Sequence, residues 1–130
     1  MTQDYRAKIL LVDDDPLVSA TLSAILQRAN YAVVTAADGN ACLSELQSQE
    51  FDLVITDIMM PEKDGIETIV EIRKLNPSQK IVAISGGSLS VDLDYLDFAD
   101  KLGANGILPK PINSEQLLTM VEPLLERPGD

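Results

Sequence analysis

Asp13, Asp14, Asp57, Ser85 and Lys110 each stand at or just beyond the end of a short apolar run. Asp13-Asp14-Asp15 follows Ile9–Val12, Asp57 follows Leu53–Thr56, Ser85 closes Lys80–Ser85, and Lys110-Pro111 comes after Gly106–Leu108. Brought together, three carboxylates repel one another unless a cation sits among them. Hard oxygen ligands with room for water suit Mg²⁺. Phosphoryl transfer asks for few parts beyond these: a nucleophile in line, a metal to neutralise the moving oxygens, and cationic or hydroxyl donors to hold them. A carboxylate is already ionised at neutral pH and needs no general base. Asp57 fits the nucleophile, while Lys110 and Ser85 fit the donors. The chain has no histidine to act as base or to carry phosphate itself, so a phosphoryl donor has to come from outside.

The elements that must position these residues are legible in outline. The four runs above, together with Tyr31–Ala36, are rich in Ile, Val and Leu without polar alternation. That is the pattern of strands buried on both faces, as in parallel sheets. Between them lie stripes at helical spacing: Val18, Leu22, Ile25 and Ala29; Leu43 and Leu46; Ile66, Ile69 and Val70; Leu96, Ala99 and Leu102; and Leu117, Leu118, Val121, Leu124 and Leu125. Pro16 opens the first helix directly after Asp15, which reads as its cap. Ser114 reads as the cap of the last, Asp38-Gly39 and Asn76-Pro77 as turns, and Pro123 as a residue that kinks or weakens the final helix. Five strands alternating with helices predict an α/β fold: a (βα)5, doubly wound parallel sheet of flavodoxin-like strand order 2-1-3-4-5. In that order the first and third strands are neighbours, which sets Asp13, Asp14 and Asp57 side by side at the ligand-binding edge.

Composition narrows the function further. The 130 residues fit one domain, expected over 1–130 with no effector domain, because only a few residues follow the last helical stripe. With 10 basic and 21 acidic side chains the net charge is −11, which disfavours direct contact with nucleic acid or anionic membranes and favours cations and basic protein surfaces. The single cysteine, Cys42, excludes an internal disulfide and is expected to be inert core. No apolar run approaches the roughly 18 residues of a membrane span. No leader-like segment opens the chain. The expectation is a cytoplasmic protein without membrane insertion.

Ile9-Leu-Leu-Val-Asp-Asp-Asp-Pro16, Val54-Ile-Thr-Asp-Ile-Met-Met-Pro61, Val82-Ala-Ile-Ser85 and Pro109-Lys-Pro111 together resemble the signature of response-regulator receiver domains, in order and spacing over nearly the whole chain. The resemblance is to the stand-alone type of two-component signalling. It implies that Asp57 is the phosphoacceptor and that a sensor histidine kinase or histidine phosphotransfer protein is the donor. Asp14 would hold Mg²⁺ directly and Asp13 largely through water, with a backbone carbonyl from Met59. Ser85 would be the switch hydroxyl, Lys110 would pair with the phosphoryl group across a cis Lys110–Pro111 peptide, and Gly65 would shape the loop after Asp57. The output would be a protein contact with a downstream target, made by the fourth helix, fifth strand and fifth helix. Two departures stand out. Ile107 occupies the position where the family usually carries an aromatic. The interval from Ser85 to Lys110 is longer than in many receivers, with Gly86-Gly87-Ser88 and an acidic run of Asp92, Asp94, Asp97 and Asp100.

Blander readings stand beside these. Asp13 and Asp14 would also suit a helix N-terminus by charge alone. Ser85 would suit a turn and Lys110 a solvated strand edge. Gly86-Gly87 lacks the Lys-Ser/Thr of a phosphate-cradling loop and reads as a hinge. Two alternatives in function remain at this point: a receiver-like interaction module that is never phosphorylated, and an aspartyl-nucleophile phosphatase of the haloacid-dehalogenase type. The latter usually needs a second aspartate two residues after the nucleophile, where this chain has Met59.

Overall fold

The computed structural model describes residues 5–58, 65–85, 101 and 103–125. Across them strands and helices alternate: β1(Lys8–Val12), α1(Pro16–Arg28), β2(Ala32–Ala36), α2(Gly39–Ser48), β3(Leu53–Asp57), α3(Gly65–Leu75), β4(Ile81–Ser85), β5(Gly106–Pro109) and the C-terminal helix α4(Ser114–Leu125). The strands form one parallel sheet in the order β2-β1-β3-β4-β5. This is the flavodoxin-like, doubly wound order expected. The fourth helical stripe, Leu96 to Leu102, lies outside the described residues.

Period-two alternation sends successive side chains to opposite faces, and both faces are covered. Leu10, Val12, Val54, Ile81, Ala83 and Ile107 pack with Cys42 of α2 and with Ile69 and Ile72 of α3. Ile9, Leu11, Leu53, Ile55, Val82, Ile84 and Leu108 pack with Leu22 and Leu26 of α1 and with Leu117 and Val121 of α4. That is why β1, β3 and β4 carry no polar alternation. β2 and β5 are the edges, and Pro109 sits on one of them, where a missing N–H is tolerated.

The helix starts are set by side-chain oxygens. Asp15 caps α1: its Oδ1 accepts from the N–H groups of Leu17 at 2.9 Å and Val18 at 3.4 Å, with Pro16 in the first turn. Asp38 accepts from Ala41 N–H at 2.8 Å, so Asp38-Gly39 is a helix start rather than a free turn. At α4 the cap is Asn113, not Ser114. Asn113 Oδ1 accepts from Gln116 N–H at 2.8 Å, and Gln116 Oε1 accepts from Asn113 N–H in return. This is the reciprocal logic of a capping box moved one residue earlier. α4 runs through Pro123 and ends two residues later, so the proline falls in its last turn. On α3 the buried apolar pair is Ile69 and Ile72, while Val70, expected in the stripe, is 44% exposed. Asn76-Pro77 does form a turn, with Asn76 Oδ1 accepting from Ser78 N–H.

Candidate functional site

The carboxyl edge of the sheet gathers the polar residues. Val12 pairs with Thr56 in the β1–β3 ladder, so Asp13 and Asp57 leave adjacent strand ends at the same level. Asp13 N–H donates to the Ala36 carbonyl at 3.1 Å, which carries the parallel pattern one residue past β1. Carboxylate oxygens of Asp13, Asp14 and Asp57 all lie within 4.8 Å of one another. Asp13 and Asp57 are buried, at 3% and 2% exposure, and Asp14 faces solvent. Lys110 enters from the far side. Its Nζ donates to Asp57 Oδ2 at 2.8 Å and stands 3.6 Å from Asp13 Oδ2. The Lys110 N–H donates to the Ser85 carbonyl at 2.8 Å, and the Lys110–Pro111 peptide is cis. Ser85 is buried at the end of β4, one residue beyond Ile84, the ladder partner of Asp57.

The charges are unequal in their surroundings. Burial raises the Asp13 carboxyl above its ordinary value. A hydrogen bond from the Asp15 N–H at 2.9 Å opposes this, Asp57 adds to it, Lys110 opposes it and Asp14 adds to it. Burial by itself pulls Lys110 down, but the hydrogen bond and charge of Asp57, with Asp13 behind them, reverse that, and the net shift is upward. Lys110 therefore stays cationic. Asp13 Oδ2 is buried and has no hydrogen-bond partner among the described residues. A buried carboxylate oxygen without a donor, beside two further carboxylates, fits a hard divalent cation, with Asp14 on the water side of the cluster.

The structure thus brings together Asp13, Asp14, Asp57 and Lys110, with Ser85 on the neighbouring strand end. Met59 lies outside the described residues, as do Gly86-Gly87-Ser88 and the acidic run from Asp92 to Asp100. Gly65 opens α3, and the loop before it is likewise outside. Ile107 is buried, paired with Ala83 and packed in the core beneath α3. Sequence reasoning missed the Asp15 N–H bond to Asp13. An aspartate two residues before an N–H is the spacing of an Asx turn, and that signal was present in Asp13-Asp14-Asp15.

A family model described as the response regulator receiver domain matches residues 9–122. The chain belongs to the response-regulator receiver family. As a receiver it is 36% identical over 120 residues to the transcriptional regulatory protein CpxR of Escherichia coli (strain K12), an alignment covering 92% of this chain and 50% of that protein. It is 39% identical over 117 residues to ZraR of Klebsiella oxytoca, covering 89% of this chain and 26% of that one. The receiver thus spans about half the length, or less, of these curated relatives. Among solved structures, the chemotaxis response regulator CheY4 of Vibrio cholerae superposes with a TM-score of 0.80 at 33% identity, covering 91% of this chain and 98% of that one. A receiver domain from Clostridium thermocellum gives 0.82 at 29%, covering 92% and 94%. Receiver domains are signalling phosphoacceptors that take phosphoryl groups from histidine kinases and bind Mg²⁺ at an acidic pocket, and the carboxylates of Asp13, Asp14 and Asp57 in this receiver lie close enough together to hold a metal ion. No helix among the described residues is long and apolar enough to cross a membrane.

Proposed function

We propose that Asp57 accepts a phosphoryl group from a sensor histidine kinase or a histidine phosphotransfer protein, and that this receiver works in the cytoplasm. The observation that carries this reading is the Lys110 ammonium at 2.8 Å from Asp57 Oδ2, inside a three-carboxylate cluster. An Asp57 oxygen attacks phosphorus, the P–N bond of the donor phosphohistidine breaks, and its imidazole leaves with the electron pair. Lys110 then turns its charge from the carboxylate to a phosphoryl oxygen, and the Ser85 hydroxyl donates to another. Asp13, Asp14 and Asp57, with the Met59 carbonyl, would hold Mg²⁺, which when bound supplies charge neutralisation at the transferring oxygens. The same residues assist hydrolysis of the aspartyl phosphate, so the chain tends its own phosphorylation state and turns over no separate substrate.

The signal leaves through protein contacts made by β5, α4 and the segment between Ser85 and Lys101, toward a downstream protein. Ile107 replaces the usual aromatic of the relay, so the coupling runs without an aromatic swing. Incubation with Mg²⁺ and a small phosphodonor should add one phosphoryl group to the intact mass, and Asp57→Asn should abolish it while leaving the circular dichroism spectrum unchanged. An unlabelled wild type, or a labelled Asp57→Asn, sinks this assignment.

A further inference from the structure

Lys110 acts only where β5 delivers it, and β5 is a lightly held strand. It has four residues, lies at the sheet edge and, among the described residues, pairs with β4 alone. Gly106 brings no side chain and Pro109 no N–H donor. Only Ile107 and Leu108 bury apolar groups. A slip of one residue would carry Lys110 about 3.3 Å along the strand. That would break its 2.8 Å contact with Asp57 and turn Ile107 and Leu108 to the wrong faces.

The register is fixed from the opposite end. Asn105, just before β5, grips Ile81 twice: its N–H donates to the Ile81 carbonyl at 2.6 Å, and its Oδ1 accepts from the Ile81 N–H at 2.8 Å. Arg73, in the last turn of α3, then ties the entries of both strands. Its Nε donates to the Gly103 carbonyl at 3.0 Å, and Nη2 donates to the same carbonyl and to Asn105 Oδ1 at 3.3 Å. Nη1 donates to the carbonyls of Gln79 and, at 3.3 Å, Pro77. These acceptors are carbonyl oxygens spread over two segments, a pattern that suits the rigid guanidinium fork and not a single ammonium. Gly103 makes the approach possible: it sits at φ +85, and a Cβ there would stand 3.2 Å from Arg73 Nε.

We propose that Asn105 and Arg73 are positioning residues for Lys110, setting the β4–β5 register at the amino edge of the sheet so that the lysine meets Asp57 at the carboxyl edge. The inference rests on the phosphoacceptor reading above. The test is a pair of double-mutant cycles. Arg73→Lys, which keeps the charge and loses the fork, and Asn105→Ala are each combined with Lys110→Met. Phosphorylation by acetyl phosphate at saturating Mg²⁺ is followed by intact mass, and Mg²⁺ affinity is measured by calorimetry. In the presence of Lys110 each variant should slow phosphorylation by between about ten- and a hundredfold, the cost of a misplaced or lost donor. Mg²⁺ affinity should not fall, because the three carboxylates keep their places and a displaced Lys110 only removes a competing cation. In the Lys110→Met background neither variant should slow it further. A fall that multiplies undiminished in that background, a wild-type rate in either folded variant, or loss of the fold in both variants overturns the proposal. A labelled wild type with multiplying effects refutes this inference alone, whereas an unlabelled wild type removes the phosphoacceptor reading and this one with it.

Discussion

Asp13→Asn is expected to stabilise the metal-free protein at pH 7 and to forfeit that advantage when Mg²⁺ is added. The Asp13 side chain is buried, its Oδ2 has no hydrogen-bond donor among the described residues, and its carboxylate lies within 4.8 Å of those of Asp14 and Asp57. At an effective dielectric of ~20, each like-charge pair at that separation repels by about 3.5 kcal/mol. Lys110, at 3.6 Å, attracts Asp13 by about 4.6 kcal/mol on the same scale, more than either repulsion alone. Because Asp14 is exposed and its repulsion screened, the charge terms nearly cancel, and it is the burial of the Asp13 charge that leaves a net gain of about 1–2 kcal/mol on neutralising it, which raises Tm by about 4–8 °C for a domain of this size. The asparagine keeps an oxygen to accept the Asp15 N–H. Mg²⁺ at about 100 times its Kd should stabilise the wild type by about 2.7 kcal/mol and the variant far less, so the order of the two melting temperatures inverts. The pH dependence follows from the direction of the Asp13 shift. With its folded-state pKa above the ordinary 3.8, its contribution to stability is fully present below that value and is lost as pH rises through the folded-state pKa. The gap between variant and wild type in EDTA should therefore be full at pH 7 and close as the pH falls toward about 4. Thermal melts by circular dichroism, in EDTA and in MgCl2, read all three effects. An EDTA melting temperature for Asp13→Asn at or below wild type at pH 7, or an equal gain from Mg²⁺, refutes the reasoning.

Asp15→Ala removes only a helix cap, so it should cost about 1 kcal/mol and leave the Mg²⁺-induced rise in Tm at its wild-type size, separating Asp15 from its two neighbours in the same melts. Leu117→Ala, at a side chain with no exposure, should cost about 2–5 kcal/mol by denaturant unfolding while leaving Mg²⁺ affinity intact. The Cys42 thiol is fully buried and its pKa is pushed up to about 12 by burial, so a chromogenic disulfide reagent at pH 8 should react only after denaturant is added. Reaction in native buffer would contradict the packing of α2 on the sheet.

The fold was legible because burial on both faces leaves a simple trace: apolar runs for strands and a charged or hydroxyl residue at four of the five carboxyl ends. The strand boundaries shifted by no more than a residue, at Lys8, Ala32, Asp57, Ile81 and Pro109. Helix details were harder to read. Ile66, Ile69 and Val70 share a helical spacing that points Val70 inward, yet one residue corresponds to about 100° around the axis, and Ile72 takes the inner place instead. The α4 cap moved from Ser114 to Asn113 because the reciprocal bond with Gln116 depends on where the chain leaves β5, which no local pattern encodes. The site's residues were readable from strand ends plus topology. The clamp of Arg73 on Gly103 was not, since an arginine on an amphipathic helix looks like any solvated charge until the strand beside it is in place.

Ile107 carries a consequence for how this protein's states can be watched. Its β-branched side chain is stiff at χ1 and is enclosed by the core beneath α3. The chain also has no tryptophan. No ring therefore changes its stacking or solvent contact at this position, and intrinsic fluorescence has no reporter there. The methyl groups of Ile107 are the corresponding probe: they sit opposite Ala83, two residues before Ser85, where a change in β4–β5 spacing alters their packing directly. Methyl NMR on selectively labelled isoleucine would follow phosphorylation from inside the sheet.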